Sequence, residues 1–309
     1  MSTSVDDPRR TSRRFSLWHL LLAVVVVCVL GYAAAIVRLM TQERRLVFRT
    51  DVARADAQPT FPFEQVDLPR ADRARQFAWV MKRDASAVAR GGKDVWVLFL
   101  HGNASTIASR WNVKHYGRLR DLGLNLIAPE YRGYNGLEGV PSESGVAADA
   151  RAAYEYLRTR QGVPPERLVI YGWSLGAAIA VDLASQVDMR ALILEGAPAS
   201  LAAIGQERYP FFPIRLIMRN PFDAVLKVGR IRAPKLFLHS ADDAVVPFTQ
   251  GRQLYEAARS PKTFVEVRGG HVEASEIDHE VFYGAVRQFL VDQDLLPAGS
   301  VTFRPGAAH

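Results

Sequence analysis

Ser174 stands in Gly172-Trp173-Ser174-Leu175-Gly176, between an apolar run, Leu168–Tyr171, and a small-residue stretch from Leu175 to Val187. A strand ending in a sharp turn before a helix would lift the Ser174 hydroxyl above the sheet edge, with the two glycines relieving crowding there. A hydroxyl so placed could act as a nucleophile. The pattern alone is weak, because G-x-S-x-G arises by chance in roughly one chain in ten of this length. An unassisted hydroxyl also needs a base that titrates near neutrality, which histidine supplies.

The chain has seven histidines. His271 follows an apolar run, Thr263–Val267, and the pair Gly269-Gly270, which permits a tight exposed loop. His279 falls in an amphipathic helix pattern and His309 ends the sequence, so surface roles are expected of both. Between the serine and His271, the run Lys235–His239 opens into Ser240-Ala241-Asp242-Asp243. Either aspartate could accept a proton from the imidazole, fix its tautomer and stabilise the imidazolium. A fourth run, Val95–Leu100, leads into His101-Gly102-Asn103-Ala104. Backbone N–H groups of Asn103 and Leu175 are placed to receive a developing oxyanion, a task in which side-chain identity matters little. His101 reads as a structural hydrogen-bonding residue at the loop start.

These residues need a common frame. Strands are expected at 63–68, 76–81, 95–100, 124–128, 168–171, 191–194, 235–239 and 263–267, with helices near 105–122, 146–160, 175–187, 248–258 and 275–292. Largely apolar strands alternating with amphipathic stretches imply a mostly parallel sheet covered on both faces, an α/β architecture whose function collects at the strands' C-terminal ends. Each chemistry-bearing stretch follows such a strand.

The N-terminal region has a different composition. Arg9, Arg10, Arg13 and Arg14 precede an apolar run from Phe15 to Val37, long enough to span a bilayer. The alternative, a signal peptide cleaved near Ala33-Ala34-Ala35, fits less well because such apolar regions usually run about 7–15 residues. Arginines flank the run equally, and the large domain is expected on the extracytoplasmic side because long domains cross largely regardless of charge. The net charge of +7 falls mainly in the first fifty residues, so the main domain carries no basic face and nucleic acid is not an expected partner. The single cysteine, Cys28, lies within the apolar run, and no metal-ligand spacing occurs. Neither a disulfide framework nor a metal or other cofactor is expected. The organisation is then a basic tail, 1–14; an anchor, 15–37; a connector, 38–60; the main domain, 61–293, with a short cap at 196–230; and a tail, 294–309.

Several stretches together carry a resemblance: "ERRLVF", "LFLHGNAS", "PEYRGYNGLEGVPSESGVAADARAAYEYL", "VIYGWSLGAAIA", "PFDAVLKVGRIRAPKLFLHSADDAVVP" and "GGHVEA". Over most of residues 41–293 the chain resembles an α/β-hydrolase, most like the membrane-anchored HGNA-type branch grouped with acyl-protein thioesterases and lysophospholipase-like esterases. The resemblance implies the chain order oxyanion loop, Ser174, acid, His271. Its Asp-x-x-Val-Pro loop pattern puts the acid four residues before Pro247, at Asp243. Departures from the branch are Glu130 for a common Asp, Leu137 for a common Ser, and "EGAPAS" after the sixth strand.

The expected activity is hydrolysis of carboxylic esters or thioesters of lipid-like acyl groups, the substrate being a small molecule or lipid and the membrane a partner through the N-terminal helix. Tyr209, Phe211, Phe212 and Met218, in "RYPFFPIRLIM", are candidates for an acyl pocket. A peptidase or amidase with the same residues, and a non-catalytic tethered binding protein, are the alternatives. Dehalogenase and epoxide-hydrolase chemistry is disfavoured because the turn carries Ser rather than Asp.

Overall fold

The computed structural model describes residues 17–70, 74–84 and 93–298. The basic tail, the first two residues of the expected anchor and the end of the C-terminal tail lie outside the described residues. The chain divides after Gln42 into two units.

Helix α1, Leu17–Phe48, accounts for the described residues of the first unit and continues past it. Its most apolar stretch has a mean hydropathy of 2.9 and no buried residues, so it is long and apolar enough to cross a membrane. The helix runs on beyond Val37, where a polar connector was expected, and from Glu43 onward it belongs to the second unit. Residues 49–60 are also fastened to that unit. Ala57 N–H donates to the Ala108 carbonyl, and Asp56 Oδ1 accepts Arg110 N–H at the start of a helix. The main domain thus begins at Glu43 rather than 61.

The second unit is built on eight strands: β1 Glu64–Asp67, β2 Phe77–Met81, β3 Trp96–Leu100, β4 Asn125–Pro129, β5 Leu168–Trp173, β6 Ala191–Glu195, β7 Lys235–Ser240 and β8 Lys262–Val267. Their order across the sheet is β1-β2-β4-β3-β5-β6-β7-β8. Strand β2 is antiparallel to both β1 and β4, and all later pairs are parallel. Residues alternate between two cores. Trp96, Leu98, Leu100, Ile170 and Leu192 join one, while Val97, Phe99, Tyr171 and Ile193 join the other. Both faces are therefore apolar, which makes the strands read as continuous runs.

Helices α2 (Arg110–Asp121) and α9 (His279–Asp292) cover the face of Phe99, through Tyr116, Leu119, Phe282 and Val286. Helices α3 (Glu143–Thr159) and α4 (Leu175–Ala184) cover the opposite face, where the alanines of α4 allow close approach to the sheet. Helix α3 starts three residues earlier than its apolar periodicity indicates, because Ser142 Oγ caps it by accepting Gly145 N–H at 3.1 Å. The cap segment holds α5 (Leu201–Arg208) and α6 (Ile214–Ile217); α7 (Phe248–Ala257) follows β7. The helix expected over 275–292 is two, α8 (Ala274–Ile277) and α9, divided at Asp278, whose ψ of 38° leaves helical geometry and whose side chain accepts Arg268 N–H.

Candidate active site

Ser174 lies between β5 and α4 with φ of 56° and ψ of −121°, a left-handed conformation that is uncommon outside glycine. Its N–H donates to the Glu195 carbonyl at 2.8 Å, which ties the turn to the end of β6. The flanking glycines are required by contact. A Cβ on Gly176 would stand 2.0 Å from the Leu100 carbonyl oxygen, and one on Gly172 would stand 2.4 Å from that of Gly176. Backbone on both sides leaves such an atom nowhere to go.

His271 follows β8, and its Nε2 lies 2.8 Å from Ser174 Oγ. Its Nδ1 lies 2.6 Å from Asp243 Oδ2. A carboxylate only accepts, so Nδ1 carries the proton and Nε2 is left to accept from the serine hydroxyl. Asp243 Oδ1 accepts the N–H groups of Val245 and Val246, at 2.9 and 2.8 Å. Burial pushes the Asp243 carboxyl up, but the His271 hydrogen bond and charge, with these two amides, outweigh it and hold the group below the usual aspartate value. Asp242 is exposed and faces elsewhere. Its Oδ2 accepts Gly269 N–H at 3.4 Å, while Ser240 Oγ donates to the Gly269 carbonyl, so the acid and histidine loops are pinned together.

The residues 101–104 pass close to the turn: a Cβ on Gly102 would meet Ser174 Cβ at 3.2 Å. Leu175 N–H belongs to the first turn of α4 and has no acceptor within its own helix. His101 is fully buried against Tyr131, ring centroids 4.2 Å apart, with its nitrogens facing the Gly102 carbonyl at 2.8 Å and Glu130 Oε1 at 2.9 Å. Glu130 also accepts Ile107 N–H at 3.2 Å, so the longer acid at this position braces the loop from below.

Sequence reasoning missed three groups. The Asn103 side chain, given no task there, donates to the Val47 carbonyl at 2.8 Å. Glu43, buried near the end of α1, accepts N–H groups from Arg219 and Asn220. "ERRLVF" contains Glu43 and Val47 and was the available signal for both. The third is Glu195, buried behind Ser174, whose Oε2 accepts Tyr171 O–H at 2.6 Å and lies 3.6 Å from His115 Nε2. Burial pushes this carboxyl up to about 8 and pulls His115 down to about 3, so both are neutral near pH 7.

The four apolar cap residues are not brought into one lining. Phe211 is 85% exposed, as is Leu216 at 86%, while Tyr209 and Phe212 are half-buried and Met218 packs against the core. A surface cavity of about 410 Å³ between α3 and α4, lined by Glu143, Arg151 and Asp182 among others, contains none of the residues around Ser174. Among the described residues no group of three or more His, Cys, Asp or Glu side chains is placed to hold a metal ion.

The model of the alpha/beta hydrolase family matches residues 97–227. An uncharacterized protein of Mycobacterium tuberculosis is 34% identical to this chain, over 89% of this chain and 96% of its own length, and the alpha/beta hydrolase domain-containing protein WAV2 of Arabidopsis thaliana is 31% identical over 74% of this chain and 78% of its own. The lysophosphatidylserine lipase ABHD12 of Danio rerio is 35% identical over 54% of this chain and 48% of its own. Among solved structures, the Pyrococcus furiosus esterase Pf2001 superimposes with a TM-score of 0.62 at 19% identity, covering 75% of this chain and 93% of that one. This last likeness is one of fold.

Proposed function

This chain belongs to the α/β-hydrolase family, and from that premise we propose that it is a membrane-anchored serine hydrolase that cleaves carboxylic esters or thioesters of lipid-like acyl groups. The observation that carries the reading is the hydrogen-bonded series Ser174 Oγ, His271, Asp243, at 2.8 and 2.6 Å on the C-terminal edge of the sheet. In this reading His271 Nε2 takes the hydroxyl proton as Ser174 Oγ attacks the acyl carbonyl. Asp243 stabilises the imidazolium that results. The N–H groups of Leu175 and Asn103 receive the oxyanion. His271 then protonates the departing alcohol or thiol, leaving an acyl-serine. Water, deprotonated by the same nitrogen, releases the acid and restores the hydroxyl.

The lipid-like substrate class draws support from the apolar cap, with Tyr209, Phe211, Phe212 and Met218 as the residues an acyl chain would meet. The lysophosphatidylserine lipase among its relatives makes lysophospholipids the first class to assay. The helix Leu17–Phe48 would hold the domain where such substrates concentrate, the domain lying on the extracytoplasmic side. Purified full-length protein in detergent micelles, assayed against acyl esters, thioesters, lysophospholipids and aminoacyl amides, is expected to turn over the first three well ahead of the amides. Preferential amide turnover would make it an amidase, and no turnover of any class would overturn the reading.

A further inference from the structure

The last turn of α1 touches two separate parts of the site. Glu43 is 7% exposed, and its Oε1 accepts three N–H groups: the backbone of Arg219 at 2.9 Å, the backbone of Asn220 at 2.7 Å and the Asn220 side chain at 2.9 Å. Arg219 and Asn220 follow α6 and form the exit of the cap's helical part. Asn220 Oδ1 in turn accepts Glu143 N–H at 2.7 Å, and Glu143 Oε2 accepts Phe222 N–H at 2.8 Å, so the exit is bound to the start of α3 as well.

Four residues further along, the helix presents carbonyls that have no donor within the helix itself. The Val47 carbonyl accepts Asn103 Nδ2–H at 2.8 Å; that of Phe48 accepts Ala104 N–H at 3.2 Å and Tyr134 O–H at 2.6 Å. The partial negative charge of a helix C-terminus favours such donors. Ala104 is held with φ of 53°, a conformation rarely adopted by a residue with a side chain unless neighbours enforce it. The Phe48 ring, fully buried, meets Phe222 edge-on at 5.9 Å and closes the space between the two grips.

Resting on the reading of Ser174 as nucleophile and Asn103 N–H as oxyanion donor, we propose that the turn Glu43–Phe48 is a positioning element, which sets the Asn103 amide against the Ser174 turn and holds the cap exit in register with it. The side chain of Asn103 is one hook and the carboxylate of Glu43 the other. The amide that would bind the oxyanion and the amide that grips Val47 belong to the same residue, so a loop released from α1 moves its N–H away from the carbonyl under attack. An oxyanion donor works only within about 2.7–3.1 Å of its target. This accounts for an asparagine in the loop: its side chain donates, which aspartate cannot do.

The test uses full-length protein in detergent micelles, with a 4-nitrophenyl acyl ester and a fluorophosphonate probe. N103A and N103D are expected to lower kcat by about ten- to a hundredfold with KM changed less than about twofold, the size of loss that follows from a small misplacement of a reacting group. E43A should lower kcat in the same direction. E43Q should restore most of that loss, because the amide oxygen can accept the same three N–H groups. Melting temperatures separate positioning from stability, and the isosteric N103D and E43Q carry the test if the alanine variants do not fold. Wild-type kcat in N103D, E43Q no better than E43A, or losses that merely follow the folded fraction would overturn the proposal. Those results leave Ser174 labelling of the wild type intact. An unlabelled wild type, or turnover surviving in S174A, would instead overturn the underlying reading.

Discussion

The edge of the sheet around Ser174 and the cap formed by residues 196–230 hold their side chains by different means. At the edge, position is set by backbone: β3 lies beside β5 and β7 beside β8, with β6 between the two pairs, and Gly176 sits so close to the Leu100 carbonyl that no larger residue fits. Every reacting group there has a bound neighbour, Ser174 on His271, His271 on Asp243 and Asp243 on two amides. In the cap, the turn after α5 presents Phe211 to solvent and α6 presents Leu216, while the bound points lie to either side, Ser200 Oγ capping α5 and Glu43 holding Arg219 and Asn220. The proposed chemistry would therefore rest on contacts that cannot relax, whereas the proposed acyl preference would rest on exposed side chains that can be altered without disturbing them.

The largest effects should follow from substitutions at the edge. S174A and H271A should each lower kcat by about 10⁴–10⁶, and D243N by about 10⁴ through loss of the correct imidazole tautomer, with folding retained by circular dichroism. D242N, one position away, should lose no more than about tenfold, because it supports the His271 loop through Gly269 alone; if D242N were the crippled variant, the assignment of the acid would be wrong.

A pair of glycines sharpens the contrast. G176A forces a Cβ onto backbone and should destabilise the domain by at least about 1–3 kcal/mol, read as a fall in Tm. The cap counterpart, G205A, brings its Cβ to 3.0 Å from Ile214 Cγ2, a single side-chain methyl rather than backbone, and alanine gains about 1 kcal/mol of helix propensity there. Its Tm should stay near wild type. Equal losses in the two variants would erase the distinction between the regions.

In the cap itself, each methylene of an acyl chain drawn out of water is worth about 0.8 kcal/mol, so kcat/KM should rise with chain length in the wild type. F211D or F212D should flatten that rise and leave acetyl-ester turnover within about threefold, since a short acyl group meets only the edge. A flat profile in the wild type would remove the cap from the account.

The smallest expected effect on turnover lies behind the Ser174 turn, where the readout is stability. The Glu195 carboxyl is held up at about 8, against an unfolded value of about 4.3. A raised acid costs the fold nothing below the unfolded value and progressively more as pH climbs toward the folded one. E195Q, which keeps an acceptor for Tyr171, should match wild-type Tm near pH 4.5 and rise progressively above it toward pH 8. Parallel curves would show that the carboxyl is not held neutral.

The two regions also differ in how far sequence alone reveals them. Strand runs, the glycines around Ser174 and the residues that follow each strand are local patterns, and each strand end projects its residue onto the same edge, although only the resemblance chooses Asp243 over Asp242. What escaped the reading depends on distant partners. Asn103 meets Val47, 56 positions away, and Glu43 meets Asn220, 177 away. Helix α1 passes Val37 because its polar continuation is supported by these tertiary contacts rather than by hydrophobicity. Phe211 looks like a pocket residue in "YPFFP", yet its exposure is set by the turn between α5 and α6, which composition does not encode.

Treatment of the full-length protein with a fluorophosphonate, followed by peptide mass mapping, addresses the central claim most directly. Attack by an activated Ser174 Oγ on phosphorus expels fluoride and leaves a phosphonyl-serine. The account predicts a single adduct, on Ser174, formed far more slowly in H271A and absent in S174A. An adduct at another residue, or labelling of S174A at the wild-type rate, would contradict it.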